Sequence, residues 1–240
     1  MYATVVIPAY NEECIGPLLL EVIGACRQLP VREIIVVDDG STDQTSERAI
    51  AASGESNMLR IVRHSRRRGQ SRALLTGIRA ASEDLIVTLD ADGQNDPADF
   101  AKLFAAYVSG QAQTTRMLIA GQRLDRRDPL VRRLSSRIAN CVRATLLDDN
   151  VRDTGCSLKL FRRQDFLELP FFDHIHRFIP AMMKASGIKV VLVDVSHRPR
   201  TAGLSKYAVW DRLWVGIHDL IGVRWLMKRQ VANVELEDVL

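Results

Sequence analysis

Between residues 4 and 89 the chain alternates short runs of β-branched residues with longer stretches of helical period, an order that a largely parallel sheet with crossover helices satisfies. That alternation places the fold in the α/β class. Strands are expected at 4–8, 33–37, 59–63 and 85–89. Helices are expected at 17–28, where Leu18, Leu19, Val22, Ile23 and Cys26 share a face, at 41–51 behind a Ser41-Thr42-Asp43 cap, and at 69–81. Beyond Pro97 the pattern predicts a helix to 108, a strand at 117–120 and a long amphipathic helix at 129–147. Strands at 157–161 and 189–193 follow, with a helix at 179–185 between them. No repeat, low-complexity tract or linker interrupts the 240 residues, which fit one large domain.

Hydrophobic residues at 47% and charged residues at 26% exclude a disordered or collagen-like chain. The net charge of +4 suits anionic ligands. No apolar stretch approaches the ~20 residues that a membrane-crossing helix needs. Cys14, Cys26, Cys141 and Cys156 are scattered, without a CxxC pair or zinc spacing, and read as reduced thiols. Residues 1–4 lead into an apolar strand with no basic leader, so a cytoplasmic protein is expected.

Three of the first four strands end in polar motifs: Pro8-Ala9-Tyr10-Asn11-Glu12, Asp38-Asp39-Gly40-Ser41 and Asp90-Ala91-Asp92-Gly93-Gln94. Open parallel sheets bind ligands beyond the carboxyl ends of their strands, so all three motifs should meet on one rim. Asp90 and Asp92 flank a small residue just past a buried strand, which lets two carboxylates address one hard cation while Gln94 adds a neutral oxygen. Mg²⁺ or Mn²⁺ suits that donor set. A capped turn ahead of Pro97 is the other reading of an isolated DxD; its place downstream of two polar strand ends favours the ion.

Taken together, VVIPAYNEE at 5–13, VVDDGSTD at 36–43 and DADGQNDP at 90–97 resemble the family-2 glycosyltransferases of the GT-A fold. Gly121-Gln122-Arg123, RRLSSRIAN at 132–140, DTGCSLKLFRR at 153–163 and RTAGLSK at 200–206 fall in the order of the polyprenyl-phosphate (dolichol-phosphate) sugar synthase branch. The resemblance covers nearly the whole chain. It implies a Rossmann-like, mixed, mostly parallel sheet flanked by helices over residues 1–206, followed by C-terminal amphipathic helices over 207–240.

The resemblance also implies roles. Pro8, Tyr10, Glu12, Asp38, Asp39 and Asp90 would hold the nucleotide of a nucleotide-sugar donor, a tyrosine offering a flat face to a base and a carboxylate accepting from base or ribose. Asp90, Asp92 and Gln94 would hold Mg²⁺ or Mn²⁺ at the diphosphate. Asp92, Arg123 and Asp153 would be catalytic, with Asp153 orienting an arginine or a sugar hydroxyl. Arg132, Ser136, Arg200 and Lys206, together with Arg123, would bind the acceptor phosphate, since guanidinium forks match phosphate oxygens.

A phosphate acceptor is already anionic and needs positioning more than a general base. The processive pattern Gln-x-x-Arg-Trp is absent, which points to transfer of one sugar. The expected activity is therefore an inverting, metal-dependent hexosyltransferase acting on polyprenyl phosphate, with GDP-mannose as first donor. UDP-linked glucose, N-acetylglucosamine or galacturonate is the alternative, as is a glycan or lipid hydroxyl as acceptor. From another class, a non-catalytic nucleotide-sugar-binding protein shares the layout but does not need the Asp90/Asp92 ion.

Arg66-Arg67-Arg68 reads as a basic loop near the nucleotide or as a solvated charge run, and His174 and His176 as satisfied side chains at a helix start rather than metal ligands. Residues 207–229 interleave all three tryptophans with Arg212, Arg224, Lys228 and Arg229. That composition suits an interfacial helix at the inner membrane face, peripheral rather than spanning, with packing on the catalytic domain or on a second subunit as the rival. No nucleic-acid partner is expected.

Overall fold

The computed structural model describes residues 1–54, 56–114, 116–123, 146, 147, 153 and 155–198, the backbone of 209–217 and all of 218–229. In chain order these form β1 (Ala3–Ala9), α1 (Ile15–Cys26), β2 (Val31–Asp38), α2 (Thr45–Ser53), β3 (Leu59–Arg63), α3 (Gln70–Ala80) and β4 (Leu85–Thr88). A 3-10 turn (Pro97–Asp99) runs into α4 (Phe100–Gln111), then β5 (Met117–Arg123), β6 (Lys159–Arg162) and α5 (Arg163–Leu167). A second 3-10 turn (Ile175–Arg177), α6 (Ile179–Ala185), β7 (Lys189–Val195) and α7 (Val209–Arg229) complete the described chain. The expected helix at 129–147 and the expected boundary between 206 and 207 lie outside the described residues, 146 and 147 apart.

The seven strands make one sheet in the order β3-β2-β1-β4-β6-β5-β7. Every pairing is parallel except those of β6, which runs antiparallel to both β4 and β5. This is the mixed, mostly parallel sheet that the sequence predicts. Central strands covered on both faces read as continuous apolar runs. Accordingly Val5, Ile7, Ile34 and Val36 pack with α1 and α4 on one face, and Val6, Ile35 and Val37 with α3 and α6 on the other. Each such side chain contributes roughly 1.5–3 kcal/mol on burial. α3 lies so close to the sheet that a Cβ at Gly77 would stand 2.4 Å from Val6 Cγ1 and 3.1 Å from Val37 Cγ2. Only glycine permits that approach.

Two elements differ in detail from the sequence reading. The helix after Pro97 starts as a 3-10 turn, because the Asp96 carboxylate caps the Ala98 amide at 3.0 Å before α4 begins at Phe100. α5 was not anticipated; five residues are too few to display a period. α7 is a single 21-residue helix that docks through buried Val223, with Leu220, Leu226 and Met227, on the α6 side of the core. Ile221 and Trp225 face outward, 62% and 58% exposed. Among the described residues no helix is long and apolar enough to cross a membrane.

Candidate active site

β1 and β2 pair Ala9 with Asp38, so the loops after them leave the sheet side by side. They are stitched together. Asn11, in a left-handed conformation with φ 51°, donates its amide to Ser41 Oγ at 3.0 Å and accepts from the Thr42 amide at 2.9 Å. The Glu12 amide donates to Thr45 Oγ1 at 2.9 Å. Asp38 is fully buried; its carboxylate accepts from the Ser41 amide at 2.7 Å and from the Ser46 hydroxyl, and lies 3.4 Å from Arg63 Nε. Burial acts to raise its pKa, but those serines and Arg63 prevail and hold it below the ordinary value.

Asp39, equally buried, holds the next loop. Its Oδ1 accepts from the Arg68 amide at 2.8 Å and meets His64 Nδ1 at 2.7 Å, while Oδ2 accepts from the Gly69 amide at 2.7 Å. His64 Nε2 lies 2.9 Å from Thr76 Oγ1. Since a carboxylate only accepts, the proton is assigned to Nδ1 and Nε2 accepts from the threonine. The oxygens of Asp38 and Asp39 are thus occupied by protein groups: the first shapes its own turn, the second clamps residues 64–69. Gly40, at φ 73°, makes the approach feasible, because a Cβ there would lie 2.6 Å from the Arg66 carbonyl carbon. The clamp carries the Arg67 guanidinium over the Tyr10 ring, 4.3 Å from its centroid, in a cation–π contact.

On the other side of β1, Thr88 of β4 pairs with Val6, and the Leu89 amide donates to the Val6 carbonyl at 3.2 Å. Asp90 therefore passes beside Pro8. Because β6 runs antiparallel with Lys159 opposite Thr88, residues 155–157 enter at the same rim. Ser157 Oγ accepts from the Asp90 amide at 2.9 Å and donates to Asn95 Oδ1 at 3.0 Å. Gln70, at the start of α3, donates to Asp90 Oδ1 at 2.7 Å, and the Gln94 amide donates to Asp92 Oδ1 at 3.1 Å.

Burial and then the Asp92 charge push Asp90 up to about 6, against the opposing pull of Lys159, Ser157 and Arg123. Among the described residues no three His, Cys, Asp or Glu side chains are grouped to hold a metal ion. Two mutually repelling carboxylates with a neutral amide oxygen two residues on nevertheless fit a hard dication, which relieves that repulsion.

Arg123, at the end of β5, forms a bidentate pair with Asp153, Nε at 2.6 Å and Nη2 at 2.9 Å. Burial opposes its charge, but the Asp153 carboxylate prevails and raises the guanidinium pKa. Asp153 thus orients an arginine. Arg132, Ser136, Arg200 and Lys206 lie outside the described residues. Two residues before Arg200, the Arg198 amide donates to the Gln94 carbonyl at 2.9 Å, and its guanidinium reaches Glu21 at 2.6 Å and Asp96 at 2.8 Å. The chain entering the 200–206 motif is thereby fixed to the Asp90–Asp96 loop.

Pro8, Asp90, Asp92 and Gln94 share one cleft of about 1090 Å³ with Arg67, Arg68, Gln70, Ser157, Lys159, Asp173, His174, His176 and Arg177. Tyr10, Glu12, Asp38 and Asp39 stand in the adjoining loops and do not line this cleft. The model of the glycosyl transferase family 2 matches residues 4–169. The chain belongs to this family. It is 36% identical over 231 residues to dodecaprenyl-phosphate galacturonate synthase of Rhizobium johnstonii, covering 94% of this chain and 67% of that one. It is 36% identical over 208 residues to undecaprenyl-phosphate 4-deoxy-4-formamido-L-arabinose transferase of Photorhabdus laumondii, covering 85% and 62%. The chain thus spans about two thirds of the length of these curated relatives.

The fold is similar to that of glucosyl-3-phosphoglycerate synthase from Mycobacterium tuberculosis, solved with Mg²⁺ and uridine diphosphate: TM-score 0.68, 22% identity, 92% of this chain and 79% of that one. The same enzyme solved with Mn²⁺, UDP-glucose and phosphoglyceric acid gives TM-score 0.65, 23% identity and coverage of 99% and 84%.

In this glycosyltransferase the sequence reading did not single out His64, Gln70, Asn95, Ser157 or Lys159. Ser157 and Lys159 reach the rim through β6, whose antiparallel direction no local motif reports. His176 is a satisfied side chain, as expected: its Nδ1 lies 2.8 Å from Ser71 Oγ, and burial pushes its pKa down to about 3, so it is neutral. His174, left-handed at φ 65°, meets Asp219 of α7 at 2.8 Å and ties the cleft rim to that helix.

Proposed function

We propose that this glycosyltransferase moves one sugar from a UDP-linked donor to polyprenyl phosphate, with inversion at the anomeric carbon. The observation that carries the reading is the Asp90–Asp92 pair, two mutually repelling carboxylates in a cleft that Arg67 and Arg68 also line. Asp90, Asp92 and Gln94 would hold Mg²⁺ or Mn²⁺, which when bound supplies Lewis-acid relief of the charge growing on the departing nucleoside diphosphate.

The chain's own groups do the rest. Arg67 and Arg68 attract the diphosphate, and the Tyr10–Arg67 stack offers the base a flat edge. Asp38 and Asp39 act through the loops they hold. Arg123, held in one orientation by Asp153, presents its remaining N–H donors to the acceptor phosphate, with Arg132, Ser136, Arg200 and Lys206 as its partners. An anionic phosphate oxygen attacks directly, so no side chain need remove a proton.

Residues 1–206 form the catalytic unit in this reading. Residues 207–240 lie peripherally on the inner membrane face, where exposed Ile221 and Trp225 with Arg224, Lys228 and Arg229 suit an anionic lipid surface. The names of the relatives, galacturonate and formamido-arabinose transferases, and UDP in the structural neighbours favour a UDP-linked donor. GDP-mannose, the first expectation from sequence, gives way to it.

Incubating the protein with Mn²⁺, polyprenyl phosphate and a panel of UDP- and GDP-linked sugars, with the lipid product read by mass, tests this. A polyprenyl-phosphate sugar from a UDP donor is expected; a product formed only from GDP-mannose would restore the other donor, and none from any donor would overturn the reading.

A further inference from the structure

Lys159 is the group in the cleft to which the proposed function gives no task. It stands on β6 opposite Thr88 and is only 3% exposed. Its ammonium donates to the Cys156 carbonyl and to no other described group. An ammonium has three N–H donors, so two find no protein partner among the described residues. A charge buried with unfilled donors is unfavourable. Burial does pull the Lys159 pKa below the ordinary lysine value, with Asp90 and Asp153 among the charges that oppose it.

Charge balance indicates what fills those donors. The described lining residues include four cations, Arg67, Arg68, Lys159 and Arg177, and three carboxylates, Asp90, Asp92 and Asp173. A dication on Asp90 and Asp92 leaves an excess of three positive charges. The two phosphates of a nucleoside diphosphate ester, one negative charge each, match two of them. Arg123, which would meet the acceptor phosphate, does not line this cleft, so one positive charge of the lining remains for the donor sugar; Lys159 lies on the Asp90 side while Arg67 and Arg68 belong to the loop after β3.

We propose that Lys159 selects a donor whose sugar carries a carboxylate, a hexuronic acid, which its two unfilled N–H donors receive. The proposal rests on the sugar-transfer reading above and deepens it. A charged hydrogen bond of this kind is worth ~1.5–3 kcal/mol, or about 10- to 100-fold in selectivity.

The test compares kcat/KM for UDP-galacturonate and UDP-galactose, which differ only in a carboxylate against a hydroxymethyl group. Wild-type protein is expected to prefer the uronate about 10- to 100-fold. In Lys159→Gln and in Lys159→Met the ratio is expected to fall to within about threefold of unity, chiefly through loss on the uronate. UDP has no sugar, so its affinity in Mn²⁺ should stay within about twofold of wild type and shows that each variant is folded. Equal losses on both donors, or a raised KM for polyprenyl phosphate with either donor, would assign Lys159 to charge balance or to the acceptor and overturn the proposal. Equal use of the two donors by wild type overturns it without any variant. Turnover of other UDP-sugars but neither of these defeats the uronate selectivity alone; turnover of no nucleotide sugar defeats the transfer reading first.

Discussion

Replacing Asp92 with alanine is expected to lower kcat/KM for sugar transfer about a thousandfold, the several kcal/mol that a metal contributes to a departing anion. Asp92 is half-buried at the rim, where it accepts a hydrogen bond from the Gln94 amide. Its loss from the fold is therefore small, ~1 kcal/mol, and the thermal midpoint should fall by no more than about 4 °C. Removing its charge also lowers the Asp90 pKa, while burial, the larger cause of the elevation, stays in place. The variant keeps an ionised Asp90 but one anion fewer for the dication, so raising Mn²⁺ should recover part of the rate. Steady-state kinetics across a Mn²⁺ series reads both effects. A loss below about tenfold would mean that the carboxylate pair does not carry the departing charge.

Gly77→Val is expected to give the largest loss of stability, about 3 kcal/mol, and a fall in thermal midpoint of roughly 6–12 °C. Two terms oppose one another. Leaving glycine in a helix interior gains a few tenths of a kcal/mol in propensity. Against that, a Cβ 2.4 Å from Val6 Cγ1 collides with a fully buried strand residue, and the two valine methyls add to the collision. The collision dominates, because neither Val6 nor Val37 has space to yield. α3 must lift from the sheet, taking Gln70 from Asp90 and Ser71 from His176, so Mn²⁺-dependent activity should fall with stability. Thermal melts check this; a midpoint unchanged within error would show that the helix–sheet spacing yields freely.

What sequence reveals here divides along the sheet. β1, β2 and β4 are buried on both faces, so their apolar runs and the polar residues that end them could be read directly, and parallel pairing then places those ends on one rim. The antiparallel course of β6 could not be read, because no local pattern states strand direction. Without it Ser157 and Lys159 look like ordinary residues of the strand expected at 157–161, although both stand beside Asp90 from more than 60 residues away.

Asp38 and Asp39 were legible as a polar strand end. The burial of Asp39 depends on His64, Arg68 and Gly69 folding back over it, which only the tertiary structure shows. The pairing of Asp153 with Arg123 was half visible, as an acidic residue placed to orient an arginine, and the bidentate geometry identifies which one.

Calorimetric titration of UDP into the wild-type protein, in Mn²⁺ and again in chelator, reaches the central claim most directly, with Asp92→Ala as the companion. UDP is expected to bind in Mn²⁺ and at least about tenfold more weakly in chelator, with Asp92→Ala behaving in Mn²⁺ as wild type does without it. Equal affinity in all three conditions would contradict the reading that Asp90, Asp92 and Gln94 would hold an ion that strengthens diphosphate binding.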